Sequence, residues 1–318
     1  MTSIAPAARR VRLRGAKMSE ILESPKVSDR GRMIELDRGV FREKFNRRHF
    51  VFRHHLSDHP LFQLPRLIEL ARSTAATRAD DLYYDAGVQD IQQRWGTAPA
   101  PFPVDETIDR IENAGAWIVL KRADTDPSYA ALLDRCMSDI LEVSGRQLER
   151  KMRRKEVIVF ITSPNRLTTY HIDSENNFLL QLSGKKEISL FRPEDREVTT
   201  EQEIERFYSI DTNSATYKPH LQHRADVLMM EPGRGVHIPV NAPHWLKNGD
   251  NISISVSINY HSYDSERAAI YRTNHYLRRI GLNPTPPFRS PVLDQLKRPV
   301  GVALGRLHDR FRPPLRKS

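Results

Sequence analysis

Between residues 156 and 262 the chain breaks into short runs of β-branched and aromatic residues, at 157–162, 168–172, 178–182, 187–191, 227–230, 235–238 and 252–260. Gly, Pro, Asn and Asp separate them. A helix of ordinary length shows apolar residues every three or four positions, whereas short runs bounded by turn residues need strand partners. So many short strands in so little chain bury their apolar faces by packing sheet on sheet or by closing a barrel, the jelly roll being one such solution. This stretch constrains the fold more than any other part of the sequence.

The flanks read differently. Short strands are expected near Met33–Leu36 and Phe50–Phe52, a helix over 64–75, and helices over 105–113 and 128–147 with a buried strand at 116–120 between them. In the second of that pair Leu132, Leu133, Met137, Ile140 and Leu141 recur at helical intervals. After Asp264 the pattern is helical again, through Ile270, Tyr271, Tyr276 and Leu277. The fold class expected is mainly β with flanking α: an α/β N-terminal part, a β-rich core and a helical C-terminal extension over 264–288. One integrated domain, 20–288, is preferred to two.

Composition matters chiefly through charge. The net charge of +10 would suggest a nucleic-acid binder, but it sits at the ends. Residues 1–19 hold Arg9, Arg10, Arg12, Arg14 and Lys17 and no acid, and 289–318 hold eight basic residues against two acidic ones. The body between is left nearly neutral, at −1. Both ends are read as basic, solvated tails, and the acid-free first one also resembles a transit peptide. One cysteine, Cys136, excludes an internal disulfide and points to a reducing, cytoplasmic setting. No apolar run approaches the ~20 residues that cross a bilayer.

Chemistry enters with His171-Ile172-Asp173 at the end of the second run. Side chains at i and i+2 of a strand point the same way, and a third ligand from another strand can close one face around a metal. Two imidazoles and one carboxylate form the facial triad of non-haem Fe(II) oxygenases, which keeps coordination positions open. Pro232–Pro239 followed by His244 offers that ligand. His237 competes, but it stands between Val236 and Ile238 within a strand and reads as a packed or surface histidine.

Other residues keep a fixed order around these three: Thr168, Asn177-Phe178, Gln181, Gly184, Lys186, Leu190-Phe191, and Ile238-Pro239 five residues before His244, with Asn259 fifteen residues after it. On this pattern the segment 164–261 resembles the JmjC/cupin-like family of Fe(II)- and 2-oxoglutarate-dependent oxygenases, and is similar to the asparaginyl hydroxylase that inhibits hypoxia-inducible factor. The resemblance implies a double-stranded β-helix, or jelly roll, with Fe(II) on His171, Asp173 and His244 and with 2-oxoglutarate and O2 as cosubstrates. It further implies Lys186 and Thr168 at the far carboxylate of 2-oxoglutarate, and Asn177 and Asn259 as polar pocket residues. Strand alternation turns Lys186 inward if Lys185 faces out. Thr168, three residues from His171, would face away in a regular strand, so its role requires a bulge or bend. Tyr83, Tyr84 and Tyr170 are all candidates for a further cosubstrate contact. The sequence departs from the family in Ala242-Pro243, where an aromatic pair is common, and in His261, where that hydroxylase has tryptophan. These departures bear on the substrate rather than on the metal.

The expected activity is therefore a dioxygenase that hydroxylates, or demethylates, a protein side chain or a small molecule. Two rivals remain: a Zn or Ni cupin acting as isomerase or hydrolase, and a non-catalytic regulator bound to nucleic acid through the tails. The aspartate and Lys186 speak against the first, the intact triad against the second. The helices after Asp264 suit either a homodimer contact or packing on the jelly roll.

Overall fold

Two antiparallel sheets face one another in the computed structural model, which describes residues 31–311 apart from 88–89, 97–99, 101 and 262–263. The strands are β1 Ile34–Glu35, β2 Phe50–His54, β3 Leu82–Asp85, β4 Trp117–Leu120, β5 Arg153–Thr162, β6 Leu167–His171, β7 Asn176–Ser183, β8 Lys186–Leu190, β9 Asp226–Met230, β10 Arg234–Ile238, β11 His244–Asn248 and β12 Ser253–His261. The large sheet runs β1-β2-β10-β7-β12-β5-β4-β3 and the small sheet β6-β11-β8-β9. Strands β5 to β12 thus alternate between the sheets, except that β8 and β9 pair as neighbours in the small one, as in a double-stranded β-helix, and the remaining strands extend the large sheet at both edges.

Alternation along the strands builds two cores. Leu179, Val236 and Ile238 of the large sheet meet Ile188, Leu190, Met230 and Leu246 of the small one inside the barrel. The opposite face of the large sheet (Val157, Val159, Ile161, Phe178, Leu180, Val256, Ile258) packs on helices α2 Leu64–Thr77 and α4 Pro127–Ser144, through Leu67, Leu70, Leu132, Met137 and Ile140. With both faces covered, β7 is buried at every position but its last, and so reads as a continuous apolar run broken only by the polar residues of the interior. The short helices α1 Arg38–Lys44, α3 Val104–Asp109 and α5 Arg146–Lys151 complete the N-terminal part.

Three elements depart from the sequence reading. Strand β11 follows Pro243 and was visible only as a lone histidine. Helix α6 Glu201–Phe207 opens with a capping box, the Thr200 hydroxyl accepting from Glu203 N and the Glu203 carboxylate from Thr200 N. The third is a correction: 289–318, expected to be a basic tail, contains the helix α8 Pro291–Phe311, packed along α7 Asp264–Arg279. Two of its charged residues are held inside rather than solvated. Asp294 accepts from Phe288 N, and Lys297 Nζ donates to Thr285 O at 2.6 Å. Gly301 permits the close approach, since a Cβ there would lie 1.8 Å from Ala269 O. The expected tail at 1–19 lies outside the described residues. Among those described, no helix is long and apolar enough to cross a membrane.

Candidate metal and cosubstrate site

The small sheet carries the triad at one end. His171 closes β6 and His244 opens β11, and the two are direct cross-strand partners with ring centroids 4.1 Å apart. Asp173 lies two residues beyond β6, in a turn fixed by a bond from Asn241 N to its carbonyl. Its Oδ1 is 3.9 Å from His171 Nε2 and its Oδ2 3.7 Å from His244 Nε2. Both separations are less than twice a metal–ligand bond of about 2.0–2.2 Å, so one ion can reach the carboxylate and either imidazole. Among the described residues this is the one group of three or more His, Cys, Asp or Glu side chains close enough to hold an ion.

The second ring nitrogens decide what the first can do. His171 Nδ1 lies 2.7 Å from Thr169 O, and His244 Nδ1 lies 3.0 Å from Ala242 O. A carbonyl oxygen only accepts, so each Nδ1 carries a proton, which leaves each Nε2 as the ring atom that faces Asp173 and would bind a metal. Burial reinforces this at His244, pushing its imidazolium down to about 4.

Cross-strand register places the cosubstrate candidates. His244, Leu246 and Asn248 of β11 pair with Leu190, Ile188 and Lys186 of β8, so Lys186 shares the interior face of the small sheet with the two core residues and with His244. Gly184, in the left-handed region at φ 71°, makes the preceding turn, where a Cβ would strike Asn251 and Ile252 O at 2.3 Å. Lys185 points out and pairs with Glu231 at 2.7 Å. Lys186 is 5 % exposed, and no carboxylate of a described residue pairs with it. Burial alone pushes its ammonium down to about 7.

Thr168 illustrates a local irregularity with a consequence. Four residues of β6, His171 to Thr168, match three of β11, His244 to Leu246. The extra residue is a β-bulge, which returns Thr168 to the face of His171. Tyr170 N, freed from the ladder there, donates to Ile91 O.

The opposite wall is polar. Asn177 and Asn259 are direct partners on β7 and β12, and Ser257 Oγ lies 2.6 Å from the side chain of each. One hydroxyl proton serves one of these contacts, so the other amide turns its NH2 to the serine oxygen. Ser255 Oγ donates to Gln181 Oε1, continuing the row. His237 is on the other face of the large sheet, fully buried among Phe45, Phe50 and Phe178, with Nδ1 near Asn177 O and Nε2 accepting from Asn46 N. It is remote from the triad's face. Tyr170 also points outward, to Thr199, while Tyr83 donates to Asp85.

One pair was not assigned from sequence. His261 Nε2 lies 3.5 Å from Glu175 Oε1 beside the triad, and burial together with the Asp173 charge pushes the Glu175 carboxyl up to about 7. Alternation offered a signal: 171, 173 and 175 on one segment and 257, 259 and 261 on the other keep one parity.

A family model for a cupin-like domain matches residues 69–279 of this chain. A search of curated proteins gave no match. Among solved structures, the chain is similar to the X-ray structure of E. coli ycfD, at 14 % identity and a TM-score of 0.49 over 88 % of this chain and 69 % of that one. It is also similar to the structure of YcfD, a ribosomal oxygenase from Escherichia coli, in complex with cobalt and 2-oxoglutarate. There identity is 16 % and the TM-score 0.47, over 88 % of this chain and 68 % of that one.

Proposed function

The chain belongs to the cupin-like domain family, and on that premise we propose that it is an Fe(II)- and 2-oxoglutarate-dependent dioxygenase acting in the cytoplasm. Its reaction is the hydroxylation of a protein side chain or a small molecule. The observation that carries this reading is a buried Lys186, without a carboxylate partner among the described residues, on the same barrel wall as the triad. A dicarboxylate held by the metal at one end needs a counter-charge at the other, and Lys186 would supply it.

His171, Asp173 and His244 would hold the metal, the two imidazoles through Nε2 and the aspartate through its carboxylate. Bound Fe(II), with 2-oxoglutarate and O2, supplies an oxidative decarboxylation that yields succinate and CO2 and places one oxygen atom in the substrate. Lys186 would pair with the far carboxylate as a point charge, assisted by the Thr168 hydroxyl that the bulge turns inward. Pairing with an anion raises the proton affinity of a lysine, so the cosubstrate would be bound with uptake of a proton near neutral pH. Leu179, Ile188, Leu190, Val236, Ile238 and Leu246 keep the barrel dry around these charges, which strengthens each interaction. Asn177 and Asn259 would orient the cosubstrate from the opposite wall.

Succinate measured after incubation with Fe(II), 2-oxoglutarate and air tests the proposal. Wild type should form it and the His171→Ala variant should not. Equal yields from the two, or none from wild type even with cell extract as substrate source, would contradict it.

A further inference from the structure

Helix α1 and the turn after it carry five basic residues, Arg38, Arg42, Lys44, Arg47 and Arg48, against one acid, Glu43. The near-neutral charge of the body as a whole conceals this concentration. Arg38, Phe41, Arg42 and Phe45 stand at i, i+3, i+4 and i+7, so one stripe of the helix and its cap holds two guanidinium groups and two rings. The rings stack, with centroids 4.6 Å apart. Like charges at i and i+4 weaken a helix, and an anion between them would relieve the repulsion. This stripe faces the last turn of α4 across a cavity of about 380 Å³, lined by Arg38, Arg42 and Arg47 with Phe41, Phe45 and Ser144. No acidic side chain lines it.

Arg47 is brought to the cavity by a fixed turn. Asn46 lies in the left-handed region at φ 54°. Its N–H donates to His237 Nε2 at 3.2 Å, and its Oδ1 accepts from Val240 N at 3.1 Å. The backbone that carries Arg47 is thus anchored on the large sheet. Two of the three guanidinium groups have no other use. Neither the Arg42 nor the Arg47 side chain forms a hydrogen bond or ion pair with a described residue, whereas the neighbouring Arg48 is held by Glu194 at 2.7 Å. Arg38 reaches Glu142 at 3.5 Å, but that carboxylate lies closer to Arg32, at 2.6 Å.

We propose that this cavity binds a small phosphate ester, of about mononucleotide size, separately from the metal and its cosubstrate. Guanidinium forks match the oxygens of a phosphate two at a time, and three of them around one cavity suit a dianion better than a lone carboxylate. Phe41 and Phe45 supply an apolar floor for the uncharged body of the ester. The volume falls at the lower end of the roughly 300–1,000 Å³ of small-molecule sites. Phe41 and Phe45 belong to the core on the helix-covered face of the large sheet, so the cavity lies behind the wall that carries Asn177 and Asn259.

Isothermal calorimetry on the metal-free full chain tests this, with adenosine 5′-monophosphate as the probe. Wild type should bind one equivalent, and adenosine, which lacks the phosphate, should bind at least about tenfold more weakly. The Arg42→Gln/Arg47→Gln variant should lose roughly thirtyfold or more in affinity, since each removes a charge-assisted contact. Lys44→Gln removes the same charge from α1 without touching the cavity and should stay within about twofold of wild type. Lys186→Met should bind the nucleotide as wild type does, because the cosubstrate pocket is a different site. A second measurement needs no variant: the nucleotide should slow phenylglyoxal modification of Arg42 and Arg47, read by peptide mass spectrometry. The proposal is overturned by a wild type that shows no saturable binding of the nucleotide up to about 10 mM. It is equally overturned if the double glutamine variant binds unchanged, if Lys44→Gln loses as much affinity, or if Arg42 and Arg47 are not protected. An octamer of deoxyadenylate that binds more tightly than the mononucleotide would point to a nucleic-acid track and overturn the small-ligand assignment.

Discussion

Replacing Lys186 with methionine should stabilise the ligand-free protein while abolishing its affinity for 2-oxoglutarate. Lys186 is 5 % exposed and without a carboxylate partner among the described residues, and burial alone lowers its ammonium from the ordinary 10.5 to about 7. At 1.36 kcal/mol per pH unit, that difference is about 5 kcal/mol of desolvation cost. Below pH 7 folded and unfolded chains both carry the proton, and the folded chain bears the whole cost. Between pH 7 and 10.5 the unfolded chain still holds a proton that the folded one has released, so stability rises with pH across that window. Methionine nearly matches the length of the stem, carries no charge and orphans no partner. Urea unfolding followed by circular dichroism should therefore find the Lys186→Met variant more stable than wild type by up to about 5 kcal/mol at pH 6, with about 1 kcal/mol left at pH 9.5. Saturating 2-oxoglutarate with Co(II) should raise the midpoint of wild type and leave the variant where it was. A variant less stable than wild type at pH 6, or a difference that does not change with pH, would refute the reasoning.

Other residues give sharper contrasts between stability and metal binding. His237→Ala should cost about 2–4 kcal/mol by opening a cavity in an aromatic core and stranding Asn46 N, yet Co(II) stoichiometry by elemental analysis should stay at one per chain. Arg166 forms a fully buried pair with Asp85 and donates to Gly87 O at 2.7 Å; Arg166→Ala leaves that carboxylate unpaired and should lower stability by about 3–5 kcal/mol in urea titration. Tyr208 Oη donates to Asn241 Oδ1 at 2.8 Å, and Asn241 N donates to Asp173 O at 2.9 Å. Tyr208→Phe should therefore weaken Co(II) binding roughly tenfold by isothermal calorimetry, with a stability loss of only about 1 kcal/mol.

The sheets were legible because their residues obey the period of two. In β12, Ile254, Val256, Ile258 and Tyr260 pack on the helices while Ser253, Ser255, Ser257 and Asn259 line the barrel, an alternation plain in the sequence. The cluster of His171, Asp173 and His244 could be picked out for a different reason: residue types and spacing are chemical constraints that survive when flanking positions vary. What stayed hidden was context. Strand β11 holds Lys247 and Asn248 and has too few β-branched residues to stand out, and it forms because β6 and β8 pair with it on both sides. The bulge in β6 is a mismatch between two strands and cannot be read from either. Helix α6 did carry a local signal, Thr200 followed by Glu203, that periodicity alone passes over. Helix α8 misled through charge: Arg and Lys around Pro299 suggest a solvated tail, and only tertiary contacts show that Asp294 and Lys297 are spent inside.

The central claim, that His171, Asp173 and His244 would hold a metal which 2-oxoglutarate chelates, is tested most directly by anaerobic titration of the apoprotein with Fe(II) and 2-oxoglutarate, followed in the visible spectrum. A metal-to-ligand charge-transfer band should grow to one equivalent in wild type, be absent in His171→Ala, and require far more 2-oxoglutarate in Lys186→Met. A wild-type spectrum without that band, indistinguishable from His171→Ala, would contradict the account.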